Sequence, residues 1–376
     1  MVSLARATLR HDWRGFLPAI LSVGFSGLLI MVQLSLLLGM FGTTTTLVDR
    51  SRAQLWVGAR NVPSFDQARD IVLRTVPLVW ANPAVTAVQT LLMRNADWRA
   101  ADGTRVGISL VGFTPRGDGL VLPGALDAAE RAALRTPGAV LVDEADLAKL
   151  HIGAGGSAEI DGQRVRLAGV LHGFRNIGSP YVFASQATAR RLSAAGAEPD
   201  SVTYILAALR PGADPRAVRG ELAASLRHPS AQVWAAGQLS RMTQRYWLTE
   251  SGVGAGFAFS ALLGLIVGLV ITGQTLRAAV IANLKEYATF RALGVPSAEL
   301  ARVVLEQAFW VGMAGALLTG AITLGAAALA GAYHVPMVFH AWEIAGTFGF
   351  VLFVALASGL AALREVYRLE PALLLR

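Results

Sequence analysis

The chain is predicted to be an α-helical membrane protein of four spans, one plus three, with a large α+β domain after the first span: a ferredoxin-like lobe and a small mostly-β lobe. Three observations predict it. Residues 15–48, 251–276, 307–342 and 344–363 are runs of 34, 26, 36 and 20 residues without a charged side chain, each able to cross a hydrocarbon core. About two hundred residues of mixed polarity separate the first run from the second. Basic residues collect at alternate span ends: Arg6, Arg10 and Arg14 before the first run, Arg277, Lys285, Arg291 and Arg302 between the second and third, and Arg364, Arg368 and Arg376 after the last.

Short loops rich in Lys and Arg stay in the cytoplasm, so both termini are expected inside and the insert outside. The short loop at 332–342, with no Lys or Arg, falls on the insert's side. The insert, 49–250, holds 23 of the 33 basic residues against 18 acidic ones, but long domains translocate regardless of charge. The formal charge of +8 thus reflects membrane orientation plus a mildly basic domain, and no nucleic-acid partner is expected. The first run is too long for a secretory h-region and lacks an A-x-A site, so it reads as an anchor. The absence of cysteine excludes disulfides, thiolate metal sites and a lipidated cysteine.

Within the insert, residues 54–57 read as a strand, 65–76 as a helix opening after Pro63 and Ser64, and 84–93 as a second strand, a β-α-β unit. Near the other end, 202–209 read as a strand and 215–226 as a helix with Asp214 as N-cap and Pro215 at its first position. Val218, Leu222 and Leu226 recur on one face of that helix, and 232–235 supply the returning strand. Two such units predict a split α/β lobe of the ferredoxin-like kind. Between them 106–113, 139–142, 155–160 and 164–171 read as short strands, with Asp161-Gly162 as a hairpin turn. Residues 43–54 and 237–250 are expected to be helical flanks forming a stiff stalk.

The sequence carries few residues in patterns that support chemistry. The two lysines, Lys149 and Lys285, leave no G-x-x-x-x-G-K-[ST] phosphate loop, so the chain is not expected to hydrolyse nucleotides. The histidines His11, His151, His172, His228, His334 and His340 form no tight ligand set. His334 and His340, with Glu343 nearby, read as caps of a helix hairpin rather than a metal site. Ser157 and Ser179 lack a G-x-S-x-G elbow, and 153–156 read as a turn. No ionisable residue falls inside the four runs, so the usual sign of a proton relay is missing. No catalytic residue, metal or bound cofactor is expected.

The inner loop, 277–297, carries the signal. Val280, Leu284, Tyr287 and Ala288 form an apolar helical stripe flanked by Arg277 and Arg291, which suits a membrane boundary. The opposite face holds Asn283, Lys285, Glu286 and Thr289, but also Phe290 and Leu293. Gly294 fits a helix C′ position, and Pro296 with Ser297 restarts a helix. The segment reads either as an amphipathic connector or as a docking surface for a cytosolic partner.

Residues 286–294, Glu-Tyr-Ala-Thr-Phe-Arg-Ala-Leu-Gly, resemble the E-Y-A-T-L-K-A-M-G segment of DevC-type ABC transporter permeases, within the FtsX/MacB/LolC-like family. The resemblance extends to Tyr246-Trp247, to 264–268 and to Gln307-Ala308, and in the insert to 55–57, 122–124 and 209–214; the span order matches along the whole length. It departs at Lys285, where DevC-type segments carry proline, and at Phe290-Arg291. The resemblance implies a permease that dimerises and is not itself an enzyme: a separate ABC ATPase, carrying ATP and Mg, binds the inner loop and its motion is transmitted outward. It further implies a periplasmic membrane-fusion adaptor, a TolC-like outer-membrane channel, a bacterial inner-membrane location, and export of a lipid, glycolipid or other lipophilic molecule. The coupling residues it implies are Lys285, Glu286, Tyr287, Thr289, Phe290, Arg291, Leu293 and Gly294. The alternative is an FtsX-like regulator that relays ATPase action to a periplasmic cell-wall hydrolase; the large insert favours export.

Gly252 with Gly256, and Gly264 with Gly268, are G-x-x-x-G pairs expected to serve span packing or a dimer contact. The expected organisation is 1–54 for the N-terminal segment, first span and stalk, 55–236 for the outer domain, 237–276 for the second stalk and span, 277–297 for the coupling helix, and 298–376 for the last two spans and tail.

Overall fold

The computed structural model describes residues 13–117, 119–176, 178–193, 200–226, 231–282, 289, 295–332, 337 and 339–367. In chain order the elements are α1 Trp13–Asp49, β1 Leu55–Ala59, a 3-10 turn Phe65–Gln67, β2 Ile71–Val72, α2 Thr75–Trp80, β3 Val85–Arg99 and β4 Arg105–Phe113. There follow α3 Ala128–Ala133, β5 Ala139–Asp143, β6 Ser157–Ile160, β7 Gln163–Leu171, β8 Tyr181–Ser185 and α4 Gln186–Leu192. The chain continues with β9 Ser201–Val202, β10 Tyr204–Leu209, α5 Pro215–Ser225, β11 Ala231–Ala235, α6 Ala236–Thr249, α7 Val253–Ala282, α8 Ser297–Ala332 and α9 Ala341–Tyr367. Two compact units result, Met1–Gly39 with Gly254–Arg376, and Met40–Val253.

Among the described residues, four helices are long and apolar enough to cross a membrane, over Trp13–Asp49, Val253–Thr275, Ala298–Gly331 and Ala341–Ala361. Small residues let them approach. A Cβ on Gly27 would stand 2.4 Å from Thr319 Oγ1 and 2.7 Å from Val351 Cγ2, one on Gly312 2.8 Å from Ala355 Cβ, and one on Gly359 2.6 Å from Ala308 Cβ. The Thr319 hydroxyl donates to the Gly24 and Gly315 carbonyls, both at 3.0 Å, so its polar group is satisfied inside an apolar bundle. Phe16, Ala19, Val23, Val304, Ala308, Val311, Val351 and Ala355 fill the interior.

The second unit is built on one sheet of nine strands in the order β11-β1-β10-β3-β4-β8-β5-β7-β6. The first four strands, in antiparallel contact, reproduce the expected split lobe: β1 and β3 from one unit interleave with β10 and β11 from the other. The remaining strands form the expected mostly-β lobe, which closes on itself where Trp98 pairs with Ile160 and Arg99 with Glu159. The hairpin at Asp161-Gly162 is present, with both residues at positive φ (47° and 78°), the turn geometry that suits the twist of flanking strands. The lobes share β3. Its alternation divides them: Leu91 and Met93 enter the larger core, Leu92, Ala96 and Trp98 the smaller.

Two local expectations are corrected. Residues 65–76 do not form one helix: Phe65–Gln67 is a 3-10 turn, Ile71–Val72 pairs with Ser201–Val202, and the helix is displaced to Thr75–Trp80. Asp70 causes this, because its carboxylate takes Arg94 in a two-point ion pair and accepts from Ser201 Oγ (2.6 Å) and Thr203 Oγ1 (3.1 Å). Burial opposes ionisation there, but those bonds and the Arg94 charge hold Asp70 below the ordinary carboxylate range. The second correction is that 50–54 leave the first stalk helix, which ends at Asp49.

Candidate functional site

Helix α6 is the centre of a joint. Its Ser240 hydroxyl donates to Asp49 Oδ2 at 3.2 Å and its Gln244 amide to Thr45 Oγ1 at 3.3 Å, while Thr45 Oγ1 itself donates to Asp49 Oδ2 at 2.7 Å. The end of α1 is thereby fastened along one side of α6. The other side holds the 3-10 turn: Phe65 N donates to Thr243 Oγ1 (2.9 Å), Gln67 Nε2 to Tyr246 Oη (2.9 Å), and Trp247 Nε1 to Asp66 Oδ1 (3.4 Å). Positions 243, 246 and 247 share one helical face, which is why three consecutive turn residues can bind it. The turn is itself gripped by the domain core. Phe65 lies 5.5 Å edge-on from Trp56 and 5.2 Å stacked on Tyr204, and Tyr204 Oη donates to the Phe65 carbonyl at 2.9 Å.

A second fastening follows directly after α1. Arg50 Nη1 donates to the His172 carbonyl at 3.3 Å, and its guanidinium stands 5.2 Å over the Phe174 ring. Gly173 makes room, at φ 79° and with a Cβ position only 2.6 Å from Arg50 Nη1. Arg52 N donates to the Leu120 carbonyl at 2.9 Å. Phe174 N donates to Asp143 Oδ2 at 2.6 Å, which anchors the loop to the end of β5. Beside it, burial pushes Asp146 up to about 6, against the pull of Arg175 and Lys149 and with the help of Asp143.

The sign of that shift gives a measurable expectation. A carboxyl whose folded pKa is raised contributes stability while protonated and loses it as pH climbs from its unfolded 3.8 through about 6. Asp146→Asn is expected to be more stable than the parent above that window by on the order of 2 kcal/mol, and equal below it. Thermal unfolding of both proteins across an acid-to-alkaline series checks this; parallel curves would contradict it.

Of the residues expected to couple to an ATPase, Lys285, Glu286, Tyr287, Phe290, Arg291, Leu293 and Gly294 lie outside the described residues, and Thr289 is helical and exposed. The helix of the second span continues to Ala282, and the third begins at Ser297, so the expected 277–297 coupling helix is described only at its edges. The glycines separate. A Cβ on Gly268 would stand 2.1 Å from Ser26 Oγ and one on Gly264 3.5 Å from Leu29, both on the first span of the same chain. Gly256 has nothing within 4 Å. Gly252 is not on the helix: it precedes α7 at φ 81°, so it and Gly256 are not a helix-face pair.

Glu343 caps a helix end as expected, its Oε2 accepting from the His340 backbone N–H at 3.3 Å. It stands inside the last span, in the first turn of α9, with its residue only 1% exposed. The stalk bonds were hidden, since Phe65, Asp66 and Gln67 lie 178 to 181 positions from their partners Thr243, Trp247 and Tyr246.

Four helices apolar enough to cross a membrane, with a β-rich domain inserted after the first, define the architecture of a multi-pass membrane protein. The profile of the MacB-like periplasmic core domain matches residues 17–225, and that of the FtsX-like permease C-terminal region matches residues 258–371. The chain belongs to the FtsX/MacB-like family of ABC transporter permeases. Among solved structures it is similar to the periplasmic region of MacB from Actinobacillus actinomycetemcomitans, at 10% identity over 50% of this chain and 93% of that one, TM-score 0.36. It is also similar to the extracellular domain of the noncanonic ABC-type transporter YknZ from Gram-positive bacteria, at 14% identity over 48% and 99%, TM-score 0.35. No curated protein sequence matches.

Proposed function

We propose that the chain is the mechanotransmitting permease of an ABC-type efflux system of the DevC kind. The observation that carries this reading is the joint on α6, where one helix is bonded along one side to the end of α1 and along the other to the turn that plugs the domain core. A displacement of α6 relative to α1 must break those bonds or carry the turn with it, which is how packed elements pass on motion. A separate ATPase supplies the work at the inner loop, and both termini lie in the cytoplasm. Two copies of the permease, a membrane-fusion adaptor and a TolC-like channel complete the assembly, and the cargo is a lipid, glycolipid or other lipophilic molecule. Its resemblance to DevC-type segments at 286–294 supports this branch over an FtsX-like regulator.

The test is co-purification. Phe290→Ala with Leu293→Ala is expected to cost ~2 kcal/mol or more of ATPase binding, roughly thirtyfold in affinity, because buried aromatic and aliphatic anchors dominate such contacts. Glu286→Gln is expected to act more weakly and with salt dependence. Undiminished ATPase recovery and export by the double variant would reduce the loop to a connector.

A further inference from the structure

Helix α6 has a third side that the joint leaves free. Ser240 and Gln244 take the end of α1, and Thr243, Tyr246 and Trp247 take the 3-10 turn, while Gly237, Arg241, Arg245 and Leu248 recur at helical spacing along the remaining face. All four are exposed, Leu248 to 44%. The two arginines make no side-chain hydrogen bond or ion pair among the described residues. No acidic residue stands three or four positions from either, so two like charges at i and i+4 repel without local relief. Glu250, at the C-cap, is the one acidic residue within 236–253. The end of α6 is tied to the start of the second span. Ser251 Oγ donates to the Trp247 carbonyl at 2.6 Å and accepts from Val253 N at 3.2 Å, and Ser251 N donates to the Tyr246 carbonyl at 3.0 Å. One residue thus closes α6 and opens α7. The span Val253–Thr275 has 23 residues, about 35 Å of helix against a hydrocarbon core of ~30 Å, so Val253 stands at the edge of that core. Beyond the edge lies a headgroup layer about 5–7 Å deep.

We propose that the free face of α6 rests on the lipid headgroups at that edge, with Arg241 and Arg245 binding the phosphates of anionic lipids and Leu248 meeting the top of the acyl chains. Charge complementarity selects this occupant. A lipid phosphate beside the two arginines turns their mutual repulsion into two attractions, and a guanidinium matches phosphate oxygens with paired N–H donors. Long arginine stems reach down from the last turns of α6 while keeping the charge among the headgroups. Anionic lipid then holds α6 by the side opposite its bonds to α1 and the turn, so the composition of the leaflet sets how firmly the joint is seated. The contact needs neither ATPase nor cargo, and its failure leaves the export reading standing.

The experiment uses the full chain in lipid nanodiscs. Because the chain has no cysteine, Leu248→Cys carries a single bimane fluorophore. Its quenching by phosphatidylglycerol bearing a nitroxide near the top of the acyl chain is compared with quenching by phosphatidylcholine labelled in the same way at the same mole fraction. The ratio reads the local enrichment of anionic lipid, and roughly fivefold is expected for each arginine. Arg241→Gln with Arg245→Gln is expected to bring the ratio to about one, and Lys at both positions to keep most of it. Should the double Gln variant fail to insert, Arg245→Gln alone carries the test with a fall of roughly fivefold. Inorganic phosphate in the buffer is expected to act no more strongly than chloride at equal ionic strength. Absence of quenching by either lipid, which would leave the face open to an acidic protein, overturns the proposal. So does a parent ratio near one, a ratio that the Gln variants leave unchanged, or specific loss of the ratio in free phosphate.

Discussion

Gly27→Leu is expected to undo the membrane bundle. A side chain there would enter between two helices at once, 2.4 Å from Thr319 Oγ1 and 2.7 Å from Val351 Cγ2. Both neighbours are β-branched and stiff at χ1, and Thr319 is also held by two backbone carbonyls, so neither can turn away cheaply. Overpacking of this kind costs about 3 kcal/mol, and more where two partners must move. Loss of monodisperse protein, or a thermal midpoint far below the parent's, is the expected readout. Gly268→Leu meets the side chain of Ser26 alone and is expected to cost less. Gly256→Leu meets nothing within 4 Å in its own chain and is expected to fold normally. If that variant folds but no longer associates, Gly256 lies between copies; a Gly27→Leu protein as stable as the parent would contradict the packing.

Phe65→Ala is expected to loosen the outer domain by ~3–5 kcal/mol, the usual cost of deleting a fully buried aromatic ring. The backbone bonds to Thr243 and from Tyr204 survive the change, so the loss isolates the ring contacts with Trp56 and Tyr204. Urea unfolding followed by tryptophan fluorescence measures it, with Leu248→Ala, 44% exposed on α6, as a comparison expected within about 0.5 kcal/mol of the parent. Equal effects at the two positions would mean that the turn is not part of the core.

The spans and the interleaved strands were legible because each carries its own pattern: long uncharged runs, and short apolar runs bounded by turns such as Pro211-Gly212 and Asp161-Gly162. Residues 65–76 misled for a tertiary reason. Their helical periodicity is real, but Asp70 is claimed by Arg94, Ser201 and Thr203, which lie 24, 131 and 133 positions away. Glu343 was legible as a cap, since a charge between two apolar runs marks a helix end, and its carboxylate accepts from the His340 backbone N–H. The α6 joint left no trace in composition, because Ser240, Thr243 and Gln244 are ordinary on a stalk and acquire meaning only through distant partners. The closure of the smaller lobe rests on the two pairs Trp98–Ile160 and Arg99–Glu159, which no local pattern announces.

The shared strand β3 has a consequence for how the domain is made. Every strand of the smaller lobe comes from one continuous stretch, residues 85–185, so its pairings close short loops as the chain emerges. The larger lobe cannot do this. Strand β1 finds its hydrogen-bonded neighbours only when β10 and β11 arrive, with Leu55 waiting for Ala207 and Ala235. During passage across the membrane the smaller lobe is therefore expected to assemble first around the far half of β3, presenting the near half as a finished template, and Trp56 stays unburied until the last third of the insert has crossed.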